Sequence, residues 1–200
     1  MPETLLIATH NAHKTAEMRE ILGDLFSEIL DLSSLPGQTP PEETGTTFAE
    51  NAVIKALAAS QFRPTSFILA DDSGLEVDAL SGAPGVYSAR YAGFSATDAD
   101  NRTKLLQELA DTLIPARTAR FRCSLAIARS GMVLAQFDGT VEGHIANEMR
   151  GEGGFGYDPI FCPEGYVESF GELPGSVKHT LSHRGRALAM FRDWVGRARG

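Results

Sequence analysis

Cysteine is scarce: the 200 residues contain only Cys123 and Cys162. Their separation matches no metal-type spacing, which argues against a thiolate zinc centre. The pair reads as reduced, packed thiols of a cytoplasmic protein. Long apolar runs are also missing. None approaches the ~20 residues that cross a bilayer, so no membrane partner is expected. Met1-Pro2-Glu3-Thr4 lacks the basic start and apolar stretch of a signal peptide. Positive charge is in deficit, with 18 Lys and Arg against 26 Asp and Glu and a formal net charge of −8. That argues against a nucleic-acid polymer as partner, since such binding needs a basic face. It leaves a nucleotide open, because a few local cations or one Mg²⁺ reverse the field within a cleft. The chain shows no internal repeat, low-complexity tract, Walker A loop, nucleophile elbow or Ser-His-Asp order.

What is present is enough apolar residue for a real core in a single domain over 1–200. The stretch that organises the chain is Ala70-Asp71-Asp72-Ser73-Gly74-Leu75. Ser66-Phe67-Ile68-Leu69 before it reads as a buried strand. Two adjacent carboxylates at a strand's end repel each other and need partners, and such a pair is placed to hold a hard cation. A helix cap or Asx-turn is the alternative for Asp-Ser-Gly.

Along the chain, Thr4–Ala8 reads as a strand, Thr9–Lys14 as a loop, and the following helix turns Met18, Ile21, Leu22 and Leu25 inward. That helix start, with Lys14 in its opening turn, is either an anion site or a helix capped by Asn11 beside a surface lysine. Glu28–Leu32 reads as a second strand and Pro36–Pro41 as a surface loop. A helix from about Thr47 to Phe62 carries Asn51 and Lys55 on one face, ordinarily a solvated one. Val86–Tyr91 reads as partly extended, and a helix capped by Thr97 runs to about Thr112. Phe121, Cys123, Leu125 and Ile127 alternate along a strand that turns at Ser130-Gly131 into a partner, a long hairpin.

The glycine-rich segment Gly151–Pro159 contains G-x-G-x-x-G, but no strand precedes it and no helix follows, so it is not a dinucleotide fingerprint. It reads as a mobile or close-packed loop carrying Phe155 and Tyr157, aromatics able to stack on a flat ring or simply to anchor the loop. Ser182 is a good cap for a final helix to about Arg199. Carboxylates at Asp71, Asp72, Glu42 and Glu43, together with Lys14, Lys55, Lys178 and Arg184, suit a polyphosphate substrate carried with a divalent metal.

Seven motifs occur in order over nearly the whole chain: Thr9, Asn11 and Lys14; Glu42-Glu43-Thr44-Gly45; Phe48 with Glu50-Asn51-Ala52 and Lys55-Ala56; Ala70–Leu75; Gly82–Arg90; Gly154–Pro159; and Ser182–Gly185. On these the sequence resembles the inosine triphosphate pyrophosphatase family, the dITP/XTP house-cleaning enzymes. The resemblance implies an α/β fold with an elongated mixed sheet flanked by helices, two lobes around a central cleft, and a homodimer. It implies Mg²⁺-dependent hydrolysis of non-canonical purine nucleoside triphosphates to monophosphate and pyrophosphate. By position, Asp72 is implied as general base and metal ligand, with Glu42 a second acidic group near the metal. Thr9, His10, Asn11, Ala12, His13, Lys14, Lys55 and Ser73 are implied on the phosphate side. Phe155, Gly156, Tyr157, Asp158, Lys178, His183 and Arg184 are implied on the nucleotide and base side. His10 and His13 stand where the family often has small residues. The rivals are a related enzyme for modified pyrimidine nucleotides and a nucleotide sensor that no longer hydrolyses.

Overall fold

The structure is a computed structural model that describes residues 4–35 and 39–199, with the side chains of 24, 198 and 199 left aside. The first part of the loop expected at Pro36–Pro41 lies outside the described residues.

Among the described residues, six strands form one mixed sheet in the order β2-β1-β3-β4-β5-β6. The strands are β1 Thr4–Ile7, β2 Glu28–Asp31, β3 Phe67–Val77, β4 Thr118–Arg129, β5 Met132–Ile145 and β6 Phe161–Pro163. The helices are α1 Ala12–Leu22, α2 Phe48–Phe62, α3 Asp98–Glu108, α4 Gly175–Leu181 and α5 His183–Arg199. β1 is parallel to both β2 and β3, and β5 is antiparallel to β6. The α/β class with a mixed, helix-flanked sheet is as expected. The long hairpin is also present. Its turn residues Ser130 and Gly131 both take positive φ, +52° and +76°, the conformation that matches the twist of two-residue hairpins.

The chain divides into two compact units. The first comprises residues 1–72, 123–139 and 184–200. Here Leu5, Ile7 and Leu69 on one face of the sheet pack with Met18 and Leu22 of α1 and with Leu188, Phe191 and Val195 of α5. Leu6, Ala8, Ile68 and Ala70 on the other face pack with Ala52, Ala56 and Ala59 of α2. The split follows from strand geometry, because alternate residues leave opposite faces. It also explains the β4 pattern: the alternation expected from Arg120 stops at Ser124, since Ala126 and Ala128 are buried against the α2 face as fully as Leu125 and Ile127 are against the other. Small residues suffice where helix and sheet approach closely.

The second unit comprises 73–122 and 140–183. Its core gathers Leu75, Val77, Leu105, Leu109, Phe121, Tyr157, Phe161 and Phe170. Phe121 contacts Phe161 and Phe170 at ring separations of 4.6 and 6.3 Å.

Three local readings are corrected. The Asp71-Asp72 pair does not end its strand or cap a helix: β3 continues to Val77, because Leu75 and Val77 are apolar residues the second core takes up and the Leu75 N–H is met by Ser88 Oγ at 2.9 Å. Residues 85–90 form a 3-10 helix rather than an extended segment, held by the Ser88 hydroxyl donating to the Gly85 carbonyl at 2.6 Å. The face of α2 bearing Asn51 and Lys55 is not solvated: Asn51 is 1% exposed, its Oδ1 accepting the Gly45 N–H at 2.8 Å.

Candidate active site

β1 runs beside both β2 and β3, so the chain order reverses at β1, and α1 and α2 fall on opposite faces. In open α/β sheets ligands bind at the carboxyl ends of strands flanking such a switch point. The register puts Ile7 opposite Leu69, with Ala8 N–H donating to the Leu69 carbonyl at 2.8 Å. The Thr9–Lys14 segment following β1 and the Asp71-Asp72 pair within β3 therefore lie at the same level of adjacent parallel strands.

That loop is built by its own polar side chains. Thr9 Oγ1 accepts the Asn11 N–H at 3.1 Å, and Asn11 Oδ1 accepts from His13 N and Lys14 N at 3.0 and 3.1 Å. Asn11 is thus the α1 N-cap, as the simpler reading had it, while Lys14 turns inward instead of lying on the surface. His10, Ala12 and His13 are exposed.

Asp71 and Asp72 are consecutive and point to opposite faces. Asp71 is buried on the α1/α5 face. Lys14 Nζ pairs with its Oδ1, while Arg184 Nε and Cys123 Sγ both donate to its Oδ2 at 3.1 Å. Arg184 is itself buried, and its Nη1 donates to Glu17 Oε2 at 2.6 Å. Burial opposes ionisation of Asp71, but Arg184 and Lys14 outweigh it and hold the carboxyl well below the usual carboxylate range. Burial and the adjacent Asp71 charge push the Cys123 thiol up, so it stays protonated as a donor. The Arg184 guanidinium remains charged because Asp71 and Glu17 exceed the penalty of burial.

Asp72 faces α2 and behaves differently. Its Oδ1 accepts from Lys55 Nζ at 2.6 Å, and Lys55 also pairs with Glu43 at 3.3 Å. Asp72 Oδ2 is buried and has no hydrogen-bond partner among the described residues. Burial outweighs Lys55 and raises the Asp72 carboxyl above its ordinary value, and Lys55 is raised because Asp72 and Glu43 overcome its own burial. An orphaned carboxylate oxygen beside a switch point is an open coordination position. A hard cation such as Mg²⁺ fits it, since Mg²⁺ commonly takes one or two protein carboxylates and completes its shell with water and phosphate oxygens. The described residues form no three-carboxylate cage. Glu42, the second implied ligand, is exposed in the segment before α2, and its neighbour Glu43 is the one brought onto Lys55.

The residues implied on the nucleotide side lie in the second unit, except Arg184, which belongs to the first. Asp158, 3% exposed, accepts from Lys178 Nζ at 2.6 Å and from Phe155 N at 2.8 Å through the same Oδ2. The Lys178 ammonium lies 4.8 Å from the Phe155 ring centre, a cation–π contact. Gly154, at φ +71°, lets this loop close, since a Cβ there would come within 2.1 Å of Asp158 Oδ2. The loop is close-packed. Tyr157 is buried and donates to the Ser88 carbonyl at 2.8 Å, with burial pushing its phenol up. His183 stacks on Phe121 at 4.8 Å, and Ser73 lies half-buried on β3. Ser182 separates two helices, because residues 175–181 form α4, which brings Lys178 inward.

The chain and its fold have parallels among known proteins. The Ham1 family model matches residues 5–194. The chain belongs to the Ham1 family. A dITP/XTP pyrophosphatase of Desulforamulus reducens is 49% identical over 193 residues, 96% of each chain. One of Geobacter sulfurreducens is 46% identical over 192 residues, again 96% of each. Among solved structures, the Staphylococcus aureus Ham1 protein matches with a TM-score of 0.85 at 38% identity, covering 98% of this chain and 100% of that one. A HAM1 protein from Coxiella burnetii matches with a TM-score of 0.86 at 40% identity, covering 98% and 99%.

Three residues take positions in this cluster that the sequence alone does not assign to them. In the sequence Asp71 reads as half of a pair, while the strand period places it on a face of its own. Glu43 is one of four candidate carboxylates in the sequence, and its pairing with Lys55 shows only in the fold. Glu17, half-buried one turn beyond Lys14, carried no signal short of the fold.

Proposed function

We propose that this Ham1-family chain hydrolyses non-canonical purine nucleoside triphosphates (ITP, dITP and XTP) to the monophosphate and pyrophosphate, with Mg²⁺ as cofactor. The observation that carries the reading is Asp72: buried, tied by one oxygen to Lys55, and open at the other. Asp72, with Glu42 as a second acidic group, would hold the metal, which when bound neutralises phosphate charge and orients the oxygens. Asp72 also takes the proton of the water that attacks the α-phosphorus. The new P–O bond forms as the bond from the α-phosphorus to the bridging oxygen breaks, and pyrophosphate carries away that electron pair. Lys14, Lys55 and the N–H groups of the Thr9–Lys14 loop are assigned to the phosphates. A raised Asp72 carboxyl binds a proton readily, and its ionised form is the one required at neutral pH.

Phe155, Tyr157, Asp158, Lys178 and His183 are assigned to the base. A buried ammonium and an imidazole offer donors to a 6-oxo purine, whereas a 6-amino group meets them donor to donor. A site built on hydrogen bonds rejects such an analogue by about 10⁴. Arg184 is assigned to the base by resemblance and to Asp71 by geometry. Arg184→Ala separates the two: a base reader narrows the preference for ITP over ATP at unchanged stability, while an anchor of Asp71 lowers the melting temperature. A homodimer is assigned by resemblance, and the two free, buried thiols support a cytoplasmic location.

The test is pyrophosphate release from ITP, dITP, XTP and the four standard deoxynucleoside triphosphates, with and without Mg²⁺. Turnover confined to the 6-oxo purines and lost without metal supports the proposal. Preference for a pyrimidine nucleotide, or binding without hydrolysis, overturns it.

A further inference from the structure

The nucleotide-side loop is gripped at one residue by a helix that the reaction does not otherwise use. Gly156 sits at φ +58°, and a Cβ there would meet nothing within 4 Å. Packing therefore does not fix this residue, and glycine by itself is the softest position a backbone has. What fixes it is α3. The Gly156 N–H donates to Asp98 Oδ2 at 2.7 Å, and the Gly156 carbonyl accepts from Arg102 Nη1 at 2.6 Å. These groups belong to successive peptide planes, so the two contacts together restrain both φ and ψ at Gly156. Each is charge-assisted, the stronger class of hydrogen bond.

Asp98 and Arg102 are four residues apart, on one face of α3 and at its start. The platform under them is firm. Thr97 and Asp100 form a reciprocal capping box. Asn101, 2% exposed, accepts the Ala92 N–H at 2.8 Å and donates to the Ala89 carbonyl at 3.2 Å. Leu105 and Leu109 are buried in the core. Arg102 is further steadied by Met149 Sδ, 3.4 Å from its Nε.

We propose that Asp98 and Arg102 are positioning residues for base selection: by holding Gly156 they set how Phe155, on one side, and Tyr157-Asp158, on the other, are presented to the purine. The inference rests on the proposed pyrophosphatase reading. Asp98 touches no atom of the cluster except this backbone N–H among the contacts described, and it is exposed, so its removal takes little from the core.

The test is steady-state hydrolysis of ITP and ATP by the full-length chain and by Asp98→Ala, Arg102→Ala, Arg102→Lys and the double alanine variant, each with its melting temperature. Arg102→Ala is expected to raise KM for ITP about tenfold and to narrow the ITP-to-ATP ratio of kcat/KM by a similar factor, with kcat within about twofold. Arg102→Lys is expected to recover part of the ratio. The double variant should be little worse than either single one, because both act on the same glycine. Unchanged KM and ratio in the single variants overturn the inference, as does a fall in kcat or melting temperature without a change in ratio. An unmutated chain that releases no pyrophosphate from ITP takes down the functional reading, and this inference with it; an active parent with unaltered variants takes down this inference alone.

Discussion

Asp71 and Asp72 leave opposite faces of β3, and each meets its own helix lysine, Lys14 from α1 and Lys55 from α2. Asp71 is fully compensated. Asp71→Asn leaves buried Arg184 with Glu17 alone among its carboxylate partners described here, and breaking a buried pair in this way is expected to cost roughly 3 kcal/mol, read as a lower urea midpoint. Asp72 works in the other sense. Its folded-state carboxyl is raised by burial despite Lys55, so its stabilising contribution is present below the unfolded value and lost as pH rises through the folded one. At neutral pH the ionised side chain is a net cost, and Asp72→Asn is expected to melt no lower than the parent at pH 7. A clearly lower melting temperature would mean that the Lys55 pair dominates instead. The sequence displayed both carboxylates and both lysines. It did not display their pairing, which follows from strand period and helix placement together.

At the scale of elements, α2 carries Lys55 and is started by a capping box in which Thr47 Oγ1 accepts the Glu50 N–H at 3.2 Å and Glu50 Oε2 accepts the Thr47 N–H, also at 3.2 Å. Thr47→Ala is expected to cost about 1 kcal/mol in thermal or urea unfolding, the usual loss for such a cap. Asp31, at the end of β2, gives a pH test. Burial works against its ionisation, but Ser33 and Arg19 outweigh it and lower the carboxyl. Its contribution is therefore present above the unfolded value of about 3.9 and lost as pH falls through the folded one. Asp31→Asn is expected to flatten the acid limb of stability; urea midpoints at pH 3 and pH 7 that move in parallel with the parent's would contradict this. The helices with strong caps and apolar stripes, and the hairpin, were legible in the sequence. The continuation of β3 past two carboxylates was not, because local composition there imitates a turn and only the second core explains Leu75 and Val77. The same holds for α4, whose seven residues are too few to show a helical period, and for the 3-10 segment at 85–90, which depends on Ser88 hydrogen bonds.

At the scale of the molecule, a chain of net charge −8 gathers Lys14, Lys55 and Arg184 around the Asp71-Asp72 pair at one sheet switch point, without an overall excess of positive charge. The proposed metal, held by one or two carboxylates, would not be a structural staple. Removing it with EDTA is expected to stop turnover and leave the melting temperature unchanged, and added Mg²⁺ to restore activity. A large loss of stability on chelation would point to a cage that the described residues do not form. The most direct measurement is the rate of pyrophosphate release from ITP by Asp72→Asn under saturating Mg²⁺. A drop of about a thousandfold with an intact melting curve is expected if Asp72 is the general base. Turnover within a few-fold of the parent would contradict the account and move the chemistry away from β3.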